Sequence, residues 1–573
     1  MQTFIELKKN LKKDFTNFKK IKIALLSDTA TQFLVHALRG RGFASQIDLQ
    51  IWEADFNQIE RQVFDTTSEL YDFNPEMVII FHSAHKLLAK YNKLNPAEYV
   101  SVADIQMALV NDLHNTLQTA LKATVIYYNY TEINDSVFGN YANKIESSFL
   151  FQLRKLNYEL MVFAAGQANF HLCDLSSIQN NSGKSTFFQP SVYINTEMVL
   201  SIDILPEVAA KTIALIEAQL GIFKKCLIVD LDNTMWGGVI GDDGLENIQL
   251  GSLGIGKAFT EFQYWIKKLK TRGIIIAVCS KNTESIAKEP FEKHPDMVLH
   301  LEDIAVFIAN WENKADNIRQ IQSILNIGFD SMVFLDDNPF ERNIVRENIA
   351  GICVPELPED PAEYLEFLYQ QNLFETVSFS NEDAERTKHY QVEAKRTVLQ
   401  KNFTNEDDFL QSLNMVSLVE TFNKFNTPRV AQLSQRSNQF NLRTVRYTET
   451  DIEKSIISKD IFSFSFSLED KFGDNGMICV IILKKENDNG LFIDSWFMSC
   501  RVLKRGMENF VLNTIVNFAK QNGYVYLKGE YIPTAKNEMV KDHYSYLGFQ
   551  PSGNCWLLNV LEYRNKKCFI TNK

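Results

Sequence analysis

From about residue 21 to 215, short apolar runs alternate with longer amphipathic stretches. Five runs read as strands: Ile21–Leu26, Ile47–Trp52, Met77–Phe81, Thr124–Tyr128 and Phe170–Leu175. Strands separated by helix-length segments predict a parallel sheet with helices on its faces. The rhythm restarts at Lys225, with strands predicted at Cys226–Asp230, Ile274–Ser280, Met297–His300 and Met332–Asp336. It fades where Pro355, Pro358 and Pro361 punctuate the chain. A helical and polar stretch, about 380–450, then gives way to a different pattern. Ile461–Leu468 and Met477–Leu483 flank EDKFGDNG, which reads as a hairpin, and the turn NDNG precedes a strand at Leu491–Met498. A helix (about 505–522), a strand (about 524–529) and a last helix into Gly548 complete an α+β pattern. These breaks predict an α/β multidomain chain divided at 1–218, 219–370 and 371–573.

Composition narrows the reading. Hydrophobic residues make up 45% and charged residues 23%, a globular balance that excludes wholesale disorder. A net charge of −12 and a pI near 5.4 argue against a general nucleic-acid binder, which carries a basic footprint. They leave room for a small phosphorylated substrate, which needs only a local cluster of donors. No apolar run approaches the roughly 20 residues of a membrane span. The opening MQTFIELKKNLKKDFTNFKK lacks the apolar stretch of a secretion signal and predicts an amphipathic helix docked on the protein. Eight cysteines form no CxxC pair, and several lie in apolar runs, which fits buried, reduced thiols in a cytoplasmic protein.

The candidate chemistry sits in CLIVDLDNTMWGGVIGDDG, Cys226–Gly244. An apolar strand runs straight into Asp230 and Asp232, with Thr234 next. Ligands of open parallel sheets lie beyond the carboxyl ends of strands, where this pattern puts both carboxylates. Side chains at i and i+2 point the same way, so the two charges repel and a cation relieves them. Mg²⁺ suits oxygen ligands and recruits one or two carboxylates plus substrate phosphate. Ile274–Cys279 then delivers Ser280, Lys281 and Asn282, WENKADNI supplies Lys314, and Met332–Leu335 ends in Asp336, Asp337 and Asn338. Acids, a hydroxyl and a lysine form a set that phosphoryl transfer needs: nucleophile, proton donor, cationic clamp and metal. Plainer readings stand beside these: Ser280 as a helix N-cap, Lys314 as a solvated lysine, Asp337 as a turn acid. Asp230 resists one, because a lone carboxylate ending a buried strand is costly without a partner.

On DLDNTMWGGVIGDDG, AVCSKN, NKADNI and FLDDNPFER, the chain resembles the haloacid dehalogenase (HAD) superfamily, and within it the FkbH-like branch of subfamily IIIC. The resemblance implies that Asp230 attacks phosphorus to form an aspartyl phosphate. Asp232 would protonate the leaving oxygen and then activate the second nucleophile. Ser280 would hydrogen-bond a phosphoryl oxygen, and Lys314 would offset charge on nucleophile and phosphoryl group. Asp230, Asp232 (through its carbonyl), Asp336 and Asp337 would hold Mg²⁺, directly or through water. Thr234, Asn282 and Asn338 are the substrate-binding candidates. Ser280 and Lys314 are too close in sequence, and the space after Asp232 too short, for more than a small flap, so a capless, open site is expected. The family further implies that a 1,3-bisphosphoglycerate-like acyl phosphate loses phosphate and that its acyl unit passes to the phosphopantetheine thiol of an acyl carrier protein. Cys279 is the candidate acyl relay, against the plainer reading of a buried strand cysteine.

The flanks carry resemblances of their own. Residues 1–218 resemble an SGNH-hydrolase-like, flavodoxin-like domain, but Ser27, Asp28 and Thr29 stand where a Gly-Asp-Ser block belongs. FHSAHK replaces Gly-x-Asn-Asp, Asp174 leads into no Asp-x-x-His, and a non-catalytic module is expected, with His82 and His85 structural or ligand-contacting. Residues 371–573 resemble a GNAT-type acyltransferase, with Arg501, Lys504, Arg505 and Gly506 the candidate coenzyme A or pantetheine turn. Lys504 departs from the expected glycine, Tyr544 or Tyr546 is the candidate acid, and a platform without catalysis is the plainer reading. RVAQLSQRSNQFNL, with Gln435, Arg436, Asn438 and Asn441, suggests a site edge, an interdomain contact or a solvated helix end. The resulting expectation is a cytoplasmic, Mg²⁺-dependent HAD-type enzyme acting on a small phosphorylated substrate, with an acyl carrier protein, and an acyl-CoA as a further candidate, as partner. A simple phosphatase of polysaccharide or secondary-metabolite synthesis, and a carrier-protein scaffold, are the alternatives.

Overall fold

The computed structural model describes residues 2–379, 390–392, 396, 399, 403–486, 489–499, 502–503, 505–534 and 536–573. The chain divides into two compact units, Met1–Ala218 and Gln219–Lys573.

In the first unit five parallel strands form: β1 (Lys19–Ser27), β2 (Ile47–Glu53), β3 (Met77–Phe81), β4 (Thr124–Tyr128) and β5 (Phe170–Cys173). They line up as β2-β1-β3-β4-β5, the flavodoxin-like order, with the switch point between β1 and β3. Each predicted strand is present, with ends moved by at most two residues. β3 is buried along its whole length because helices cover both faces, hence its unbroken apolar run. The opening segment forms the helix Phe4–Asn10, capped by Thr3 and Glu6. Its Leu7 is buried, and Asn10 Nδ2 donates to Gly40 O at 3.0 Å. A Cβ at Gly40 would stand 2.2 Å from Leu7 O, so only glycine lets the two helices approach this closely.

The second unit begins with β6 (Cys226–Val229), β7 (Ile275–Ser280), β8 (Val306–Ala309) and β9 (Met332–Leu335), all parallel in the order β8-β7-β6-β9. One predicted strand is corrected. Met297–His300 is not a strand; β8 takes its place on the edge beside β7. Met297 and Leu299 are buried, but the amides of Val298 and Leu299 donate to Gln263 Oε1 at 2.9 and 3.3 Å. A helix side chain thus satisfies the backbone that a strand neighbour would have satisfied. No domain is inserted among the described residues of this region. After Asp232 come the bridges Asp232↔Trp236 and Gly237↔Gln249 and the short helix Ile240–Asp243. Between Ser280 and Lys314 lie a helix (Glu284–Lys293), a 3₁₀ turn and β8.

The remainder of this unit holds a nine-stranded sheet: β10 (Met415–Ser417), β11 (Val419–Glu420), β12 (Ile461–Asp470), β13 (Gly473–Glu486), β14 (Gly490–Met498), β15 (Tyr526–Gly529), β16 (Gln550–Ser552), β17 (Cys555–Asn559) and β18 (Ile570–Asn572). The predicted hairpin is β12–β13, antiparallel from Ile461↔Lys484 to Asp470↔Gly473. β14 and β15 pair in parallel, and helix Met507–Gln521 connects them. The predicted last helix shrinks to His543–Tyr546.

Candidate active site

β6 lies between β7 and β9, and its register decides what meets at the carboxyl edge. Val229 is level with Val278 and Leu335, so Asp230 falls level with Cys279 on one side and Asp336 on the other. The Asp230 amide donates to Leu335 O at 3.0 Å, which fixes that level beyond the end of the strand. Lys314 opens helix Lys314–Leu325 behind the cap Asn313, and the residue is 2% exposed. Its Nζ stands 2.7 Å from Asp230 Oδ2 and 2.5 Å from Asp336 Oδ2. Burial works to lower the Lys314 pKa, but the carboxylates of Asp230 and Asp336 hold it above its ordinary value, so the ammonium stays charged. Lys314 is therefore not a solvated lysine.

Asp337 completes the cluster. The ligand oxygens of Asp230, Asp336 and Asp337 lie within 4.8 Å of one another. Burial, reinforced by the Asp230 charge, pushes both Asp336 and Asp337 above the usual carboxylate range. Thr234 Oγ1 donates to Asp337 Oδ1 at 3.0 Å and accepts from the Asp337 amide at 3.1 Å. Arg342, 5% exposed, donates to the carbonyls of Asp336 and Asp337 at 2.8 and 2.7 Å and so pins the turn. The Asn338 amide donates to Asp336 Oδ1 at 2.9 Å, while its side chain caps helix Pro339–Asn348. Asp230 Oδ1 is buried with no hydrogen-bond partner. Three carboxylates share one ammonium, so two negative charges stand over, and one of the oxygens has nothing to bind. A divalent cation supplies both deficits, and the residues therefore fit a magnesium ion.

Asp232 is held apart from that cluster. Its Oδ1 accepts from Trp236 Nε1 at 2.9 Å and from the Ile240 amide at 3.0 Å, and its Oδ2 accepts from Asn282 Nδ2 at 3.1 Å. Burial raises its carboxyl above the ordinary value, against the pull of those donors. Ser280, 1% exposed, ends β7; the cap of helix Glu284–Lys293 is Thr283, three residues on. Cys279 is fully buried, its Sγ donates to Lys314 O at 3.7 Å, and burial pushes the thiol far above its ordinary value. Trp236 and Arg342 lie within the motifs DLDNTMWGGVIGDDG and FLDDNPFER, where nothing in the sequence marks their part. Only the fold shows that one orients Asp232 and the other locks the Asp336–Asp337 turn.

The flanking candidates sit differently. Arg501 and Lys504 lie outside the described residues. Arg505 is 4% exposed with Nη1 3.3 Å from Asp470 Oδ2, and Gly506 caps helix Met507–Gln521 at φ 76°. Tyr544 is buried, whereas Tyr546 is exposed. Asn438 Nδ2 donates to Gly221 O at 2.7 Å, so this part of RVAQLSQRSNQFNL is an anchor to the segment that leads into β6. In the first unit Thr29 Oγ1 is 3.3 Å from Ser27 Oγ, while His82 Nδ1 is 2.9 Å from Tyr127 Oη. Asp174 Oδ1 accepts from Asn129 and caps a helix at Ser177. The hydroxyl, the imidazole and the carboxylate there each serve another partner.

The family model for the FkbH N-terminal domain matches residues 22–217. A crystal structure of the N-terminal part of protein BF1531 from Bacteroides fragilis, described as containing a phosphatase domain complexed with Mg, is 58% identical. It covers 66% of this chain and all of its own, with a TM-score of 0.64. The chain belongs to the FkbH-like family. The ribosomal-protein-S18-alanine N-acetyltransferase of Escherichia coli (14% identity, 25% of this chain and 94% of its own, TM-score 0.20) also matches. So does the spermidine/spermine N-acetyltransferase SpeG of Vibrio cholerae (12%, 27% and 96%, 0.21), and at such values neither bears on activity. No curated protein is significantly similar to this FkbH-like chain. Among its described residues no helix is long and apolar enough to cross a membrane.

Proposed function

We propose that this FkbH-like protein is a Mg²⁺-dependent phosphohydrolase whose chemistry runs at the carboxyl edge of β6. The observation that carries the reading is the buried Asp230, with one oxygen on Lys314 and the other without a partner, beside Asp336 and Asp337. Asp230, Asp336 and Asp337 would hold the ion, with the Asp232 carbonyl, and it would supply charge neutralisation for the phosphoryl oxygens. A carboxylate oxygen of Asp230 attacks phosphorus; the Asp230 O–P bond forms as the bond to the leaving oxygen breaks, and Asp232 gives that oxygen a proton. In the second half Asp232 takes a proton from water, whose oxygen displaces Asp230, releasing phosphate. The burial that raises the Asp232 carboxyl favours its role as the acid. Lys314 stabilises charge on the nucleophile and phosphoryl group, and Ser280 would hydrogen-bond a phosphoryl oxygen, whereas Thr234, Asn282 and Asn338, proposed for substrate binding, are spent on Asp337, Asp232 and a helix end. Phosphate release from a small monoester should require Mg²⁺ and vanish in Asp230→Asn; retention in that variant refutes the assignment.

The finer reading makes the substrate a 1,3-bisphosphoglycerate-like acyl phosphate and the acceptor the phosphopantetheine thiol of an acyl carrier protein, in the cytoplasm. The family resemblance supports it, as does the absence of an inserted lid among the described residues, since a carrier arm needs access. Within it residues 219–370 form the phosphatase domain and 371–573 the acyl-handling one. Mass spectrometry of holo carrier protein after incubation with 1,3-bisphosphoglycerate tests it. Phosphate release with no mass gain leaves simple hydrolysis.

A further inference from the structure

The side chains expected to hold substrate are each engaged inside the site: Thr234 with Asp337, Asn282 with Asp232, and Asn338 with the Phe340 amide. The part of a substrate that is not transferred therefore meets other groups at the rim. Within the four motifs the basic side chains are Lys281, Lys314 and Arg342. Lys314 is locked between Asp230 and Asp336, and Arg342 is spent on the carbonyls of Asp336 and Asp337 and on Glu356. Lys281 differs from both. It directly follows Ser280 at the end of β7, its side chain is 35% exposed, and its Nζ stands 2.6 Å from Glu341 Oε1. An ammonium has three protons to donate, and Glu341 takes one.

The sheet order gives this contact its direction. The strands run β8-β7-β6-β9, and Glu341 lies in the first turn of helix Pro339–Asn348, which follows β9. The pair thus spans the end of β6, across two strand spacings or about 10 Å. Asp230 stands at that same end of β6. Glu341 is 7% exposed, and its Oε2 is buried without a hydrogen-bond partner. Burying an acid to meet a partly exposed lysine adds little stability, because desolvation offsets the attraction. It does fix a long, mobile side chain in one place. The lysine–glutamate pair of protein kinases aims an ammonium at phosphate oxygens in the same way.

We propose that Lys281, aimed by Glu341, binds a second anionic group of the substrate, a carboxylate or a further phosphate on the leaving group. Lys281 contacts substrate, and Glu341 is the positioning residue. The inference rests on the phosphohydrolase reading of Asp230 and adds a preference to it: small phosphate esters with an anion at their other end.

Two matched pairs of esters test this with the full-length protein and Mg²⁺. They are 3-phosphoglycerate against glycerol 3-phosphate, and propane-1,3-diol bisphosphate against 3-hydroxypropyl phosphate. The first pair differs by a carboxylate, the second by a phosphate. In at least one pair, KM for phosphate release should be about tenfold lower for the doubly anionic ester. Lys281→Met/Glu341→Gln removes both charges and leaves neither buried alone, and it should bring that ratio to within about twofold. Thermal melts check folding; should the double variant not fold, Lys281→Met carries the test. Calorimetric titration of Asp230→Asn, with and without the two substitutions, should show the same ratios in Kd. A parent that releases no phosphate from any ester refutes the phosphohydrolase reading, and the Kd ratios then decide the part of Lys281. Equal values within both pairs, or a ratio that survives the substitutions because both esters shift together, as a structural strut would give, overturns the proposal.

Discussion

Replacing Lys314 with Met keeps the buried stem and deletes its charge. In the metal-free protein, Asp230 and Asp336 would then face each other without the ammonium that stands 2.7 and 2.5 Å away. Breaking a buried pair by removing one partner costs about 3–5 kcal/mol. Burial and Asp230 already drive the Asp336 carboxyl up, so proton uptake recovers part, and the low end, about 3 kcal/mol, is expected. For a cooperative unit the size of Gln219–Lys573, the entropy of unfolding converts each kcal/mol into about 1.3 °C. Scanning calorimetry in EDTA should therefore show the second unit melting about 4 °C lower. Magnesium should reverse much of this, because three carboxylates without an ammonium attract a divalent ion more strongly. At 100 times its Kd the ion contributes about 2.7 kcal/mol. Its stabilisation should be larger in the variant than in the parent, although phosphate release falls about 10²–10³-fold through loss of a charge clamp. An unchanged melt in EDTA, or a smaller magnesium effect in the variant, would refute the view that Lys314 and the ion relieve the same repulsion.

Burial lifts Asp28 to about 7, so the folded first unit keeps a proton that the unfolded chain has released, and stability falls as pH rises from about 4 to 7. Asp28→Asn should flatten that slope and be the more stable protein at pH 8, by at most about 4 kcal/mol, in urea melts at pH 5 and 8; a slope equal to the parent's sinks the idea. Arg505 and Arg396 both reach Asp470, whose side chain is fully buried. Asp470→Ala should cost about 3–5 kcal/mol by denaturant titration, which marks Arg505 as a strut; a stability change within about 0.5 kcal/mol would argue otherwise. Cys279→Ser should leave phosphate release, followed by colorimetric assay, within about threefold, because a thiol pushed so far up by burial is a poor nucleophile. A collapse of activity in a folded variant would return Cys279 to the chemistry.

Where burial is two-sided and local, the sequence already carried the fold. β3 and β4 are continuous apolar runs and coincide with the predicted bounds. Met297–His300 and Val306–Ala309 are both apolar and close together, and only pairing with β7 decides which is the strand. β10 and β18 pair in parallel across 155 positions, Met415↔Ile570, and β16 is wholly exposed. Neither leaves a local hydrophobic period to read, which is why a stretch expected to be helical and polar hides β10 and β11. At the site, acids at strand ends were legible because an apolar run halting on a carboxylate is costly without a partner. The donors that position them, Trp236, Arg342 and the Ile240 amide, are ordinary residues until the fold brings them within 3.0 Å.

The two parallel sheets place an aspartate at matching positions with different partners. Asp28 follows β1 at the switch point and Asp230 follows β6. Asp28 accepts the Ser83 amide, at 2.9 and 3.1 Å, and its more distant lysines pull weakly against burial, so it leans toward the protonated acid. Asp230 has an ammonium at 2.7 Å and two further carboxylates within 4.8 Å. Removing water from a carboxylate neutralises it unless a cation is built in beside it. A nucleophile toward phosphorus needs the charged form, and a metal needs several such forms together. A strand end alone therefore does not make a phosphatase site: Lys314, arriving from a helix 84 positions later in the chain, sets an ammonium against the buried acid.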